Sequence, residues 1–433
     1  MQSQTVSISQ SAAVTDTSAD ELRRRLIRDA DTCVACGMCL PVCPTYVETR
    51  TEAESARGRI ALVRGLAEGR LEAGAALVAH LERCLQCQAC EAVCPAAVPY
   101  GRLMDGAHAL MRQTGAAEAA GAADRIAWFL RTPQRLSLLG SLLSFYRVSG
   151  IQWLARHSGL LHAAGLADAD RLAAAPHAPR EWAPYYPAQG TEQGQVALFT
   201  GCIARLVDGE NLQAAISVLR KLGYGVHVPP GQGCCGAVDL HAGRGDEYRQ
   251  AAERNTRAFE DLDVEAVVSI ASGCTAVLQQ TARDAVGLPP VRDISDFLLH
   301  VDWPEHVRIR PADLDVYLHT PCSLKNAVRK PQAPAQLLER IPGLRIRPAP
   351  ADAQCCGAAG TYSLRYPETA QRLGEQALAH ARQANIATIA TSNVGCALHM
   401  AAVAKGQGEP VRMLHPVRLL DEHLDASHGR SDN

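Results

Sequence analysis

CVACGMCLPVCP, at residues 33–44, and CLQCQACEAVCP, at residues 84–95, constrain the structure of this chain more than any other stretches. Both have the spacing Cys-x2-Cys-x2-Cys-x3-Cys-Pro. Three cysteines at every third residue let one loop present three thiolates to a single compact metal cluster. The proline disfavours the α region for the cysteine before it and turns the chain away. The spacing therefore predicts two [4Fe–4S] clusters in one small domain.

In the bacterial ferredoxins that share this run, the fourth cysteine of each run ligates the other cluster. We therefore expect crossed ligation, with one cluster on Cys33, Cys36, Cys39 and Cys94 and the other on Cys84, Cys87, Cys90 and Cys43. Structural zinc also uses Cys-x2-Cys pairs, but it takes two separated pairs per ion, which leaves half of each run unexplained. Such clusters transfer single electrons and supply no acid, base or substrate pocket.

The composition describes an ordinary globular protein of several domains. The chain has 433 residues, of which 47% are hydrophobic and 20% are charged, so about three domains are expected and a disordered chain is excluded. Lys and Arg total 43 against 45 Asp and Glu, a net charge of -2. Without a basic excess, and with only 4% aromatic residues, nucleic acid is not an expected partner.

The sixteen cysteines are expected to stay reduced in the cytoplasm. Residues 1–20 are polar, lack the basic and apolar regions of a signal peptide, and are predicted to be a disordered lead-in. No purely apolar run reaches membrane-spanning length, since polar residues interrupt the nearest candidate, residues 386–404. We therefore expect no transmembrane segment, and we interpret the cysteines as metal ligands or catalytic groups.

Helical patterns dominate the first half of the chain. Ser18 followed by Glu21 is a capping box that opens a helix. Residues 57–83 favour two short helices between the cysteine runs, so a helical two-cluster domain is predicted over residues 21–105. Residues 106–190 are predicted to be an Ala- and Leu-rich helical segment that ends in a Pro-rich linker at 174–190.

Beyond the linker the sequence is duplicated. Three landmarks recur at offsets of 120, 121 and 122 residues: VALFTGC ending at Cys202 with VYLHTPC ending at Cys322, Cys234-Cys235-Gly236 with Cys355-Cys356-Gly357, and ASGC ending at Cys274 with NVGC ending at Cys396. Nearly equal offsets indicate a tandem duplication. We therefore predict a first repeat over residues 191–305 and a second over residues 306–426.

Each repeat alternates strand-like and helix-like segments. In the first repeat, residues 196–199, 225–228 and 266–270 favour strands, and residues 209–222 and 243–262 favour helices. This alternation is typical of a parallel sheet, and every repeat cysteine then follows a strand, where open α/β sheets form their sites. The overall prediction is an α/β protein: an N-terminal helical ferredoxin-like domain with two [4Fe–4S] clusters, then a duplicated α/β CysCysGly domain.

The CysCysGly pairs are poor candidates for disulfides, because adjacent cysteines make strained bridges. The plain alternative to a ligand or cluster site is buried, reduced cysteine in a core of small residues. Residues 231–236 also spell the dinucleotide-binding pattern G-x-G-x-x-G. We discount this pattern because the second repeat keeps the cysteines but has Asp352 and Gln354 in place of the first two glycines.

Together these strings resemble the iron–sulfur subunits related to heterodisulfide reductase, and in particular those of bacterial glycolate oxidases. The resemblance runs from about residue 31 to residue 424 and rests on CVACGMCLPVCPTY, ARGRIALV, RCLQCQACEAVCP, GCCGAVDLH, ASGC, QCCGAAGTYSLRYPE and NVGC. It implies that a separate FAD-bearing subunit oxidises glycolate to glyoxylate. This chain would pass the electrons to an acceptor such as quinone, at the inner face of the cytoplasmic membrane.

The sequence is compatible with several further functions. The substrate pocket would lie on another chain, so the substrate of the complex could equally be D-lactate or glycerol-3-phosphate. The chain could also be a disulfide or quinone reductase that acts in its own right. A third function is that of a scaffold whose CysCysGly repeats dock the flavin subunit.

The cysteine pattern differs at one place from that of the heterodisulfide reductase relatives, so their cluster chemistry is not assigned to this chain. Their repeats end in Cys-x2-Cys, whereas here Val277 and His399 occupy the last position. Val277 cannot ligate, and His399 is expected to be a hydrogen-bonded polar residue rather than a ligand. The CysCysGly cysteines could therefore hold a conventional third cluster or line an acceptor site without metal. Four other residues near these turns are candidates to position an acceptor or a subunit: Asp239, His241, Tyr362 and Arg365.

Overall fold

The computed structural model describes residues 18–116, 127–158, 161, 170, 181–284, 287–350 and 353–426. Of the disordered lead-in predicted at residues 1–20, residues 1–17 lie outside these ranges. Helix α1, Ala19–Asp31, begins where the capping box predicts, and Ser18 Oγ accepts a hydrogen bond from the backbone N–H of Glu21 at 3.3 Å.

The N-terminal region is helical, as predicted. After α1 come α2 (Pro44–Thr49), a 3-10 turn (Glu52–Glu54), α3 (Ala56–Ala67), α4 (Ala75–Glu82), α5 (Ala89–Ala92) and α6 (Tyr100–Gln113). Helices α1, α3 and α6 bury Leu22, Val63 and Leu103 completely in one apolar core. The predicted end of this domain, residue 105, falls within helix α6. The helical packing therefore extends to Gln113.

Residues 127–158 of the segment after α6 are also largely helical, as predicted. They contain α7 (Pro133–Val148) and α8 (Ile151–His157). Of the predicted linker at 174–190, residues 174–180 lie outside the described ranges, and residues 181–190 include a short strand, Tyr185–Tyr186. Leu136 and Leu139 of α7 pack against Leu206 of the first repeat. The remaining surface of the two helices exposes seven large apolar side chains: Leu138, Leu142, Phe145, Val148, Ile151, Trp153 and Leu154. Among the described residues, no helix has both the length and the apolar character needed to cross a membrane.

The first repeat is a five-stranded sheet covered by helices. Its elements are β1 (Tyr185–Tyr186), β2 (Gly194–Phe199), α9 (Ile203–Val207), α10 (Gly209–Lys221), β3 (Tyr224–His227), α11 (Ala237–His241), α12 (Gly245–Phe259), β4 (Val267–Ser269), α13 (Ser272–Asp284), β5 (Val291–Asp293) and α14 (Ile294–Leu299). The strand order is β1-β3-β2-β4-β5, parallel except at β1. The predicted strands and helices of this repeat are therefore confirmed.

The second repeat has the same topology. It follows β6 (Val307–Ile309) and contains β7 (Leu314–His319), a π-helix (Ser323–Val328), α15 (Ala333–Leu338), β8 (Leu344–Pro348), α16 (Tyr362–Arg365), α17 (Pro367–Gln383), β9 (Thr388–Thr391), α18 (Val394–Gly406), β10 (Arg412–Leu414), α19 (Pro416–His423) and β11 (Leu424–Ala426). Its parallel order, β10-β9-β7-β8, matches β5-β4-β2-β3 strand for strand. The shared order confirms both the duplication and the α/β fold class.

The two repeats meet at the carboxyl ends of their strands. Ser272 at the start of α13 and Ser323 of the π-helix are joined by a hydrogen bond between their Oγ atoms at 2.7 Å, and the N–H of Ser272 donates to the carbonyl of Ser392 at 3.0 Å. Because the repeat cysteines follow these strands, the contact brings both sets to one region of the protein.

The helical N-terminal region closes over this same region. Asn326 Nδ2 donates to the Cys87 carbonyl at 2.8 Å, and Gln86 Nε2 donates to the His241 carbonyl at 3.0 Å. Gly243 has a φ of +70°, and a Cβ there would lie 2.4 Å from the backbone carbon of His108 in α6. This close approach admits no side chain, so glycine at 243 fixes how tightly α6 sits on the first repeat.

A buried ion pair ties the two cysteine runs together. Arg59 of α3 is 1% exposed, and its Nη2 lies 2.6 Å from Glu54 Oε2, which is also buried. The guanidinium also donates to Thr45 Oγ1, just after the first run, and to the carbonyl of His80, just before the second. These hydrogen bonds within one domain offset the cost of burying two charges.

Replacing Arg59 by Met should destabilise the helical N-terminal region by about 3–5 kcal/mol, because the buried Glu54 loses its one buried ionic partner and retains only the more exposed His80 and Arg83. The free energy of unfolding by urea, followed on this region, measures the loss. Arg57→Met is the matched control, since the Arg57–Glu52 pair is exposed and its loss should be much smaller. Equal losses in the two variants would contradict the role given to Arg59.

Candidate metal centres

The first cavity in the N-terminal region is bordered by cysteines from both runs. Its lining includes the residues that crossed ligation assigns to one cluster: Cys33, Cys36, Cys39 and Cys94. The loop before α2 supplies the first three, and the turn after α5 supplies Cys94. Arg57 and Tyr100 complete the wall.

A second cavity lies beside the first and contains the complementary set. Its lining includes Cys43, Cys84, Cys87 and Cys90. The buried Arg59 also lines it, so a positive charge sits beside these thiols. Cys90 borders both cavities. Apart from Cys90, each cavity is therefore bordered by one of the two sets that crossed ligation assigns, and the ligation itself stays a prediction.

The backbone of the two loops has the same unusual shape. Ala35 and Gln86, at equivalent positions, have φ values of 53° and 49°, and Gly37 and Gln88 have φ values of 83° and 56°. Left-handed residues spaced in this way form concavities lined by backbone N–H groups, which bind anionic iron–sulfur clusters. The strain at three non-glycine residues fits a loop that is shaped for a ligand.

The thiols of the second cavity also fit a metal cluster. Burial raises the pKa of Cys87 and of Cys90 well above the ordinary value, so in the chain alone both are neutral thiols. Thiolates are stable in such a place when iron supplies the compensating positive charge. Eight cysteines without acidic ligands among them are the donor set of [4Fe–4S] clusters.

In the first CysCysGly repeat the four cysteines form a connected group. Cys202 Sγ donates toward Cys234 Sγ at 3.7 Å, which raises the pKa of Cys202 and lowers that of Cys234. Cys235 is hydrogen-bonded to Cys234 and to Cys274. The fifth position of the relatives is filled by Val277, which is buried in an apolar cluster with Tyr248 and ligates nothing.

The second repeat carries the same group of four cysteines with one added histidine. Cys322 and Cys355 are 3.8 Å apart at sulfur, and Cys356 contacts Cys396. His319, at the end of β7, places a ring nitrogen within 4.8 Å of both Cys356 and Cys396. Burial lowers the pKa of His319 to about 4, so its imidazole is neutral at pH 7, as a metal ligand must be.

Sequence reasoning missed His319. Strand pairing shows its equivalence to Phe199, because Phe199 pairs with Ser269 in the first sheet and His319 pairs with Thr391 in the second. The signal was present in the aligned strings VALFTGC and VYLHTPC, where phenylalanine and histidine occupy the same position. His399 donates Nε2–H to the Ala370 carbonyl at 2.9 Å, as expected of a hydrogen-bonded polar group.

All eight repeat cysteines border one cavity of about 310 Å³ between the two repeats and the N-terminal region. Three of the four polar candidates from the sequence line it: His241, Tyr362 and Arg365. The fourth, Asp239, is instead held by Arg131 and Arg244 behind the wall.

The second cluster cavity and the second repeat are in direct contact. Cys87 and Cys322 are partly buried and pack against one buried group that contains Cys355, Leu85 and Tyr362. The cysteines of the second run therefore adjoin the cysteines of the second repeat. This gives a continuous series of cysteines from the protein surface near Cys36, which is exposed, to the large cavity.

Comparison with known proteins agrees with this organisation. The family described as 4Fe-4S dicluster domain matches residues 29–98, and the cysteine-rich domain matches residues 196–279 and 316–401. Residues 125–173, for which the sequence suggested no function, match the linker region of the glycolate oxidase iron-sulfur subunit. The chain is therefore an iron–sulfur protein.

Several curated proteins are similar over much of this chain. The probable glycolate oxidase iron-sulfur subunit of Bacillus subtilis is 31% identical, over 90% of this chain and 93% of the relative. The glycolate oxidase iron-sulfur subunit of Escherichia coli is 29% identical, over 91% of this chain and 94% of the relative. Lactate utilization protein A of Geobacillus kaustophilus is 28% identical, over 52% of this chain and 98% of that protein.

These matches confirm the resemblance drawn from the cysteine strings. They extend over the cluster domain, the linker and both repeats, and they identify the chain as a component of an oxidoreductase complex. The chain belongs to the family of glycolate oxidase iron-sulfur subunits.

Proposed function

We propose that this chain is the electron-transfer subunit of a flavin-dependent glycolate dehydrogenase complex. An FAD-bearing partner subunit oxidises glycolate to glyoxylate, and this chain carries the electrons to an acceptor such as quinone. The contact of Cys87 with Cys322 and Cys355 is the observation that carries the proposal, because it joins the cluster domain to the large cavity.

The cluster ligands in this proposal are the two crossed sets of cysteines. Cys33, Cys36, Cys39 and Cys94 hold one cluster, and Cys84, Cys87, Cys90 and Cys43 hold the other. When bound, the clusters supply one-electron transfer. The grouping of these thiols around two separate cavities, and the matched left-handed loops, support the assignment.

The apolar surface of α7 and α8 supports a partner subunit. Large exposed apolar patches on soluble proteins mark interaction surfaces, and here seven such side chains lie within residues 138–154. This segment belongs to the linker that the glycolate oxidase family shares, so we infer that the flavin-bearing subunit binds there. The complex would lie in the cytoplasm, at the inner face of the membrane that holds quinone.

A D-lactate complex is the second candidate, because a lactate utilization protein matches about half of this chain. The cysteine pattern also fits a glycerol-3-phosphate complex, and it fits a disulfide or quinone reductase that works without a partner. The linker match favours glycolate over these three functions.

The full chain, reconstituted with iron and sulfide, should not oxidise glycolate alone but should support glycolate-dependent reduction of a dye when the flavin-bearing subunit is added. The oxidation rate with glycolate, D-lactate and glycerol-3-phosphate as substrates measures the specificity of the complex. If the chain alone reduced a disulfide or a quinone with reduced dye as donor, as fast as with its partner, the independent reductase would be the correct function.

Crossed ligation predicts which pairs of cysteine substitutions are redundant. Cys94→Ala should remove about four irons, and adding Cys36→Ala should remove no more, because both residues serve one cluster. Adding Cys87→Ala to Cys94→Ala should instead remove about four further irons. Iron and sulfide analysis after anaerobic purification gives the counts. The reverse pattern, with Cys94 and Cys87 redundant, would mean that each run holds its own cluster.

We also propose that the second repeat, but not the first, holds a further metal centre. His319 beside Cys356 and Cys396 supports this, since Phe199 at the equivalent place offers no ligand atom. The donor set of four thiols with a neutral imidazole nearby fits an iron–sulfur cluster.

Metal analysis of two equivalent substitutions tests this asymmetry. Cys356→Ala should lower the iron content from about twelve to about eight per chain, whereas the matched Cys235→Ala should leave it unchanged. His319→Phe, which copies the first repeat, should weaken the same centre. Equal iron loss from Cys235→Ala and Cys356→Ala, or about eight irons in the unaltered chain, would exclude the asymmetric site.

A further inference from the structure

The large cavity between the repeats combines an apolar wall with a few polar groups that face it from one side. Met111, Phe199, Ile203 and Val394 supply apolar lining from three different parts of the chain. The polar side is formed by Gln86, His108 and His241. Ligand cavities for small organic molecules have this character. We propose that the cavity binds the headgroup of a quinone and that His241, held by Asp105, supplies a proton for its reduction, an inference that rests on the proposed function.

His108 offers the cavity a hydrogen-bond donor. Its side chain is more than nine-tenths buried, and Nε2 has no hydrogen-bond partner among the residues that the structure describes. Gln86 Nε2 lies 3.3 Å from His108 Nδ1, and with Gln86 as the donor the neutral ring carries its proton on Nε2. Burial lowers the pKa of His108 to about 4, which keeps the ring neutral at pH 7. A buried N–H without a partner is costly, and a quinone carbonyl oxygen would satisfy it.

His241 is arranged to give up a proton. Its Nδ1 donates to Asp105 Oδ1 at 2.9 Å, which leaves Nε2 as the ring nitrogen available to a ligand. Burial by itself lowers the pKa of His241, but the charge of the buried Asp105 outweighs it and raises the pKa above its ordinary value. A histidine oriented by a carboxylate in this way is a common general acid.

The charges around the cavity favour a neutral ligand over a carboxylate. Arg365 Nη1 lies 3.2 Å from Glu82, and Arg112 Nε donates to the Ala242 carbonyl at 2.6 Å. Both guanidinium groups are thus engaged by the protein. A 2-hydroxy acid would need a free cation to bind its carboxylate, whereas a quinone needs donors for two neutral oxygens.

The reaction balances with the donor of the proposed function. A quinone takes up two electrons and two protons to become a quinol. The electrons come from the 2-hydroxy acid that is oxidised on the partner subunit. One proton leaves Nε2 of the His241 imidazolium, which is reprotonated from solvent, and the second proton comes from solvent directly.

Two variants and one control separate binding from proton transfer. Val238→Phe narrows the cavity, because Val238 lines it, and should weaken the binding of a soluble short-chain quinone to the full chain by about tenfold. His241→Gln should lower glycolate-dependent quinone reduction by about a hundredfold, a far larger effect than its effect on the binding of the short-chain quinone. Reduction of ferricyanide by the His241→Gln complex should be retained, because ferricyanide takes up electrons without protons.

The control is His227→Gln, since His227 is hydrogen-bonded to Gln195 on β2, away from the cavity.

The pH profile distinguishes a proton donor from a structural residue. Quinone reduction should decline as the pH rises through the pKa of His241, and Asp105→Asn should move this decline to lower pH because the charge that raises the pKa is lost. Among the described residues of α6, His108 also acts electrostatically on His241, and Arg112 donates to the carbonyl of the neighbouring Ala242. Asp239, on its own helix, is neutralised by Arg131 and Arg244.

Three results would overturn the inference: no binding of the short-chain quinone to the chain, equal binding by Val238→Phe, or an equal fall of ferricyanide and quinone reduction in His241→Gln. If the unaltered complex failed to reduce ferricyanide with glycolate as the electron donor, that result would instead contradict the proposed function. The binding measurement on the chain alone would still decide whether the cavity accepts a quinone.

Discussion

The Arg59–Glu54 pair is the interaction on which the cluster domain depends. Crossed ligation requires two loops about 50 residues apart to meet, yet the thiols repel one another electrostatically when ionised. Arg59 holds the loops from the side: it binds Thr45 after the first run and His80 before the second. Its charge also lies beside the second set of cysteines. One buried cation therefore serves both the shape of the domain and the stability of its thiolates.

Local patterns made much of this protein predictable from sequence. Cysteine spacing predicted that three thiols of each run lie together, because the spacing of ligands along a loop fixes which of them can share a metal cluster. The crossed fourth ligand followed from the bacterial ferredoxins and stays a prediction. The Ser18 cap and the strands of the first repeat followed from signals that lie within a few residues. The end of the first domain at residue 105 was less well defined, because α6 carries no breaker there and continues to Gln113.

The features that the sequence did not reveal depend on pairs of distant residues. Asp105 and His241 are 136 positions apart, and only the closure of α6 over the first repeat brings them together. His319 stands where the first copy of the duplicated strand has Phe199. Whether it can act as a ligand depends on the strand register, which places it beside Cys356 and Cys396. In both cases a single polar residue carries the information. Periodicity does not detect it, and for His319 the signal lies in the alignment of the two repeats.

The duplication gives two halves with the same strand order and different chemistry. Since the cysteines of both halves follow strands whose ends face each other, one cavity can be bordered by two sets of thiols without any further change of fold. The second half adds a histidine and packs near Cys87 of the second run, whereas the first half has Phe199 and supplies His241, which pairs with Asp105 of α6. Electrons and protons would then reach the same cavity from opposite walls. A two-electron, two-proton carrier is the class of acceptor that uses both.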